Sequence, residues 1–298
     1  MKKIDTDTFV QTMGIKVPPI EDFFKLGDHT RCLVQNEDGQ FCRVNYERGQ
    51  VLYALIAKYK PKTVLEIGTG GGFSTLCMAW AMEDHNIDGK IYTIDPIPPD
   101  QSREWIIDWG KGNGPTVDFL SINQVWPKIA PSSWLNKIEM ITGYSGEVFS
   151  KKKFTNVDFA YIDGAHSYDA IQHDFFSVLT TTKKDFGILF DDYIKRPFYG
   201  VKEFIDSKID QNFETTLIDI DRGIHYKELN TSIDSEYGMC WIHSDSLQNL
   251  VNEIYPPEKY EPILKKYRRY ESLIMKRRIA LNNKFPILGK IKIRWYKH

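Results

Sequence analysis

The sequence predicts an α/β protein built on a mostly parallel sheet of seven strands, with helices on both faces and one antiparallel strand. Three observations predict it. Lys62–Gly72 reads as a buried strand (Val64, Leu65, Ile67) that breaks into Gly68, Gly70, Gly71 and Gly72, and Phe73–Met82 then reads as a helix. Further short apolar runs recur along the chain, mostly followed by helical patterns, which is how a parallel sheet is wound. The last two runs, Phe213–Ile220 and Tyr237–His243, lack an obvious helix between them, so one must run antiparallel at or beside the sheet edge.

Taken in order, residues 1–48 form an N-terminal extension. In it Thr30–Gln35 and Gln40–Val44 bracket a four-residue loop and predict a hairpin. Glu47–Lys58 carries Val51, Leu52, Leu55 and Ile56 on one helical face, and Pro61 ends that helix. Residues 49–244 form the main domain. After the glycine loop and its helix, Lys90–Asp95 is the second strand. Residues 96–135 read as an inserted cover, helical over Ser102–Trp109. Its four tryptophans (Trp105, Trp109, Trp126, Trp134) either stack on a ligand ring or seal the segment's own core. Strands follow at Lys137–Thr142, Val157–Ile162 and Phe186–Phe190, and helices at Tyr168–Thr180 and Val201–Lys208. Together these elements make a Rossmann-like sheet. Residues 245–298 form a basic helical extension, with a boundary at Pro256–Pro257 and a helix over Lys265–Leu281.

Composition excludes several classes. No run approaches the ~18 apolar residues of a membrane span, and Met1–Asp7 does not resemble a secretory signal. The four cysteines (Cys32, Cys42, Cys77, Cys240) show no CxxC spacing, which argues against a zinc site or a disulfide framework and fits a reducing cytoplasm. Charge is unevenly spread: from Lys265 onward the chain has twelve Lys and Arg and a single acid, Glu271. Such a tail admits an anionic membrane face, a second subunit, the acidic body of its own chain, or nucleic acid; no recognition motif supports the last.

The glycine loop predicts a nucleotide-cofactor site, because missing Cβ atoms let backbone N–H groups approach a ligand at a helix N-terminus. A dinucleotide fingerprint is disfavoured, since Phe73 occupies the place of its last glycine. Asp95 ends the second strand 23 residues past Gly72, where a carboxylate accepts the hydroxyls of a ribose. Asp163, Asp191 and Asp192 also end strands. Like charges gathered there need a reason, and a hard divalent cation, Mg²⁺ above all, supplies one. The plainer alternative is a solvated strand end and a helix cap. His166, on the loop after Asp163, is a candidate general base.

The stretches Val64–Gly70, Tyr161–Tyr168 and Phe190–Tyr193 make residues 44–243 resemble class I S-adenosylmethionine (AdoMet) methyltransferases, specifically the metal-dependent O-methyltransferases that include macrolide and other sugar O-methyltransferases. The resemblance implies that Glu66, Gly68, Gly70 and Ser74 lie at the methionine end of AdoMet, Asp95 at its ribose and Ser145 beside its adenine. It implies metal ligation by Asp163, Asp191 and Asp192, with Asp163 and His166 as catalytic residues and Asp163 bordering the cofactor. Two positions depart from the pattern: catechol-type relatives carry lysine where His166 stands and asparagine where Asp192 stands. Some sugar-specific relatives place an aspartate where this chain has Ala165. The implied activity is methyl transfer to a hydroxyl of a small polyhydroxylated acceptor, a sugar or glycan. A second reading is a nucleic-acid-binding methyltransferase-like module that uses the basic tail.

Overall fold

The computed structural model describes residues 1–36, 38–110, 112, 114–220, 237–244 and 253–284. Its centre is a sheet assembled from β1 (Lys2–Asp5), β4 (Thr63–Ile67), β5 (Lys90–Asp95), β8 (Ile138–Thr142), β9 (Val157–Ile162), β10 (Thr182–Ile194), β11 (Thr215–Asp219) and β12 (Tyr237–Ser244). Their order across the sheet is β1-β11-β12-β10-β9-β4-β5-β8. Only β12 runs against its neighbours, pairing antiparallel with both β10 and β11. From β4 the chain winds outward through β5 and β8, then returns to the other side of β4 with β9. The switch point therefore lies between β4 and β9, the place where open α/β sheets bind ligands.

Three expectations are corrected. The sheet has eight strands, not seven, because Lys2–Asp5 pairs in parallel with β11 and becomes the edge. Ser102–Trp109 is not helical. Arg103–Ile107 (β6) pairs antiparallel with Thr116–Leu120 (β7). Arg103, Trp105 and Ile107 are buried and alternate with half-buried Glu104 and Ile106, a period of two that outweighs the helical reading. Finally, β10 does not stop at Asp191 but continues to Ile194 through a bulge between Phe190 and Tyr193, with Asp192 at φ 52°.

Helices cover both faces. On one, α3 (Glu47–Tyr59) and α4 (Phe73–Asp84) pack with α1 (Thr6–Thr12) and α2 (Ile20–Asp28) around Leu52, Ile56, Met78 and Trp105. The N-terminal residues thus share this core. The hairpin forms as expected from β2 (Leu33–Gln35) and β3 (Phe41–Arg43), and all four cysteines are buried thiols outside any disulfide. α5 (Ile122–Ile129) and α6 (Ser132–Leu135) complete the inserted segment. Its tryptophans are engaged by the protein: Trp134 stacks on Trp80 and Trp109 lies against His29. The other face holds α7 (Ser145–Lys151), α8 (Tyr168–Leu179) and the short α9 (Val201–Phe204), which continues as a wider turn to Ile209. The long C-terminal helix α10 (Pro257–Lys284) lies on α7 and α8. No helix among the described residues is long and apolar enough to cross a membrane. Phe285–His298 in the tail fall outside the described residues.

Candidate active site

The glycine loop leaves β4 at Ile67 and turns into α4. Gly68 has φ 101°, and a Cβ there would sit 2.0 Å from the carbonyl oxygen of Asp163. Asp163 N in turn donates to Ile67 O at 2.8 Å. The loop after β4 and the loop after β9 are therefore in backbone contact. Gly72, at φ 90°, leaves the space that the Trp126 ring fills, and Trp126 Nε1 donates to Gly71 O at 3.1 Å. Gly70 differs: a Cβ there would meet nothing within 4 Å. Its side of the loop is the open one, where a ligand can lie against backbone.

Glu66 is fully buried and accepts from Ser74 Oγ and Thr75 Oγ1, each at 2.5 Å. Burial pushes its carboxyl up to about 7, against hydrogen bonds from Ser74, Thr75 and Thr93 that favour the charged form. Asp95 accepts from Gly70 N at 3.0 Å and Ile97 N at 2.8 Å. It thereby ties the second strand to the loop and keeps lone pairs for further donors. Ser145 begins α7, half-buried; the next two backbone N–H groups, Gly146 and Glu147, donate to Glu271 of α10 at 3.4 and 2.8 Å.

Across the switch point the acids gather. Ligand atoms of Asp163, His166 and Asp192 all lie within 4.8 Å of one another. Asp191 faces elsewhere: it is almost wholly buried, accepts from the Tyr161 hydroxyl and takes the Asp192 backbone N–H at 2.7 Å. The structure thus groups His166 with two of the three expected acids and turns the third towards the interior. Adjacent residues of a regular strand face opposite ways. The bulge at Asp192 is what lets both Asp191 and Asp192 reach one arginine.

That arginine is Arg48. Its Nε lies 3.0 Å from Asp191 Oδ2, an ion pair without an aligned hydrogen bond, and its Nη2 donates to Asp192 Oδ1 at 2.9 Å. Against the cost of burial, these carboxylates hold the guanidinium charged, well above its usual range. Burial, then Asp191 and Asp192, drive the Asp163 carboxyl well up, and Arg48 opposes them. His166 Nδ1 stands 3.4 Å from Asp192 Oδ2, and its ring stacks on Tyr199 at 4.5 Å. The Tyr237 hydroxyl is 3.3 Å from Asp192 Oδ1. Sequence reading missed Arg48, Tyr161 and Tyr237. A signal for Arg48 existed: it precedes Val51 and Leu52 by three and four residues, which sets a charge on the apolar face of α3.

A family model described as "Methyltransferase domain" matches residues 65–193, and one described as "O-methyltransferase" matches residues 21–104. Together the two matches show a methyltransferase domain of the O-methyltransferase kind over residues 21–193. The two matches take in Arg48, the glycine loop, Glu66, Asp95, Asp163, Asp191 and Asp192. No relative among curated protein sequences matches the chain. Among solved structures, it is similar to the O-methyltransferase TomG from Streptomyces achromogenes, involved in tomaymycin synthesis and solved with SAM, at 16% identity over 80% of this chain and 96% of that one, TM-score 0.49. An O-methyltransferase from Bacillus cereus in complex with SAH gives 15% identity over 80% of this chain and 100% of that one, TM-score 0.48. The SAH-bound methyltransferase PaMTH1 from Podospora anserina gives 13% identity over 80% and 92%, TM-score 0.46. A cleft lined by Tyr59, Lys62, Asp158, Phe186, Trp241 and His243 opens at the opposite end of the strands, away from the methyltransferase site.

Proposed function

We propose that this methyltransferase domain moves the AdoMet methyl group to a hydroxyl of a small polyhydroxylated acceptor, a sugar or glycan unit, with a hard divalent cation, Mg²⁺ by preference, at the acidic loop. The observation that carries the reading is the acidic cluster beside the glycine loop: ligand atoms of Asp163, His166 and Asp192 lie within 4.8 Å of one another, with Arg48 paired to Asp192 and to the buried Asp191 behind it. Ionised together, the three carboxylates exceed the one guanidinium by two charges, which a divalent cation would balance. The donors suit a hard ion, since Asp163 and Asp192 offer oxygen within the same few ångströms, with His166 beside them as the proton acceptor rather than a ligand. Asp191, buried under Arg48 and Tyr161, would support the site from behind. Held by Asp163 and Asp192, such a cation would lower the pKa of an acceptor hydroxyl.

The chain's own residues do the rest. The backbone at Gly68 and Gly70, with Ser74 and Glu66 behind it, receives the amino-acid end of AdoMet, Asp95 the ribose and Ser145 the adenine side. His166, oriented by Asp192 and by the Tyr199 ring, takes the proton that leaves the acceptor oxygen. The protein needs no nucleophile, because the donated methyl is already activated; alignment and proton removal are its task. The polar character of Asp163, His166 and Asp192 supports a hydroxyl-rich acceptor over an apolar one. The test is titration calorimetry with AdoMet, followed by methyl-transfer assays on sugars and catechols with Mg²⁺ or EDTA. EDTA is expected to abolish turnover while AdoMet still binds. Full turnover in EDTA would remove the cation from the reading.

A further inference from the structure

α10 has two unlike faces. Tyr260, Leu264, Tyr267 and Glu271 recur every three to four residues and form the inner one. Tyr260 stacks on Phe176, Leu264 is buried, Tyr267 stacks on His173 at 4.6 Å, and Glu271 takes the first N–H groups of α7. The helix is thus fixed to the body by its own chain. At 100° per residue, Lys265, Arg269, Leu273 and Lys276 project from the side opposite this seam, flanked by Lys266 and Arg277. All six are exposed. Leu273 is 51% exposed, and Tyr270 at the margin of this face is 58% exposed.

Charge is segregated in the same way. Residues 257–298 contain thirteen Lys and Arg against three acids, so with a whole-chain charge of −1 residues 1–256 carry −11. An acidic body with a basic, apolar-studded helix is oriented by an anionic plane, which attracts the helix and repels the rest. From Ser272 to His298 the sequence contains no acid, and its cations alternate with Leu, Ile, Phe and Trp. Phosphate contacts alone would give the exposed Leu273 nothing to do, whereas an acyl boundary takes both cations and aliphatics.

We propose that the outer face of α10 docks the enzyme on an anionic lipid bilayer, with Lys265, Arg269, Lys276 and Arg277 at the headgroups and Leu273 below them. The full-length chain is tested by co-sedimentation with phosphatidylcholine vesicles, with and without one-third phosphatidylglycerol, across a salt series. Binding is expected on the anionic vesicles only, and is expected to fall as salt rises. Each cation near such a surface is worth about fivefold in partitioning, so the triple variant Arg269→Gln/Lys276→Gln/Arg277→Gln is expected to lose about 100-fold. Leu273→Ser is expected to lose about tenfold. Unchanged melting temperatures will show that the variants fold. The salt series on the unmodified chain is a second test that needs no variant. No binding to anionic vesicles, equal binding to neutral ones, or tighter binding to an RNA duplex at matched phosphate concentration would each overturn the proposal.

Discussion

Glu66 and Asp163 sit at the ends of the neighbouring strands β4 and β9, and burial raises both carboxyls. Their surroundings differ. Glu66 is closed in by the hydroxyls of Ser74 and Thr75, so its environment is complete without any ligand. Asp163 stands beside two more acids and their arginine. The first half of the site is a finished polar cradle, rigid through backbone. The second is electrostatically unfinished. A buried carboxylate alone does not identify a reaction centre; what identifies one is whether its neighbours already satisfy it.

Breaking the unfinished side should have the larger effect. Asp163→Asn is expected to cut turnover on the order of 10²–10³-fold, the several kcal/mol that a positioned cation supplies. The same variant is expected to melt higher than the parent in EDTA, because it removes the charge that Asp191 and Asp192 repel. Steady-state rates and thermal melts check the two together. Next comes Arg48→Met, which leaves Asp191 and Asp192 without their counter-charge. A loss of about 3–5 kcal/mol is expected from denaturant unfolding in EDTA, and Mg²⁺ should restore part of it. Rescue by Mg²⁺ in this variant but not in the parent would sharpen the contrast between the two halves.

The smallest effect belongs to the finished side. Glu66 has a folded pKa of about 7 against an ordinary 4.5. The folded chain therefore holds a proton that the unfolded chain releases between those values. Stability from this site is fully present below pH ~4.5 and is lost as pH rises through 7. Glu66→Gln removes that dependence. The variant is expected to match the parent at about pH 4 and to exceed it by about 3 kcal/mol at about pH 9, on the order given by the size of the shift. Parallel melts at the two pH values decide it.

Much of this was legible in the sequence, for local reasons. The parallel strands were continuous apolar runs that ended in acids, and the glycine turn announced the switch point. Asp95 and Asp163 lie where chain order alone puts them, at strand ends on one rim. Three features escaped because they depend on contacts between distant segments. Lys2–Asp5 has no strand signature of its own and is ordered by pairing with Thr216–Asp219, more than two hundred residues away. Arg103–Ile107 becomes a strand because Thr116–Leu120 returns beside it. The turning of Asp191 away from Asp163 and His166 depends on a bulge and on Arg48 from a helix 143 residues earlier.

The carboxylate of Glu271 has a mechanical consequence. It is the last buried residue on α10 before Arg277 and grips the leading turn of α7 through two backbone N–H groups. A load applied to α10 beyond Glu271 is therefore delivered, like the short arm of a lever, to the peptide units beside Ser145. The fastening that keeps the appendage on the body is the same one through which a pull from outside reaches the rim of the site.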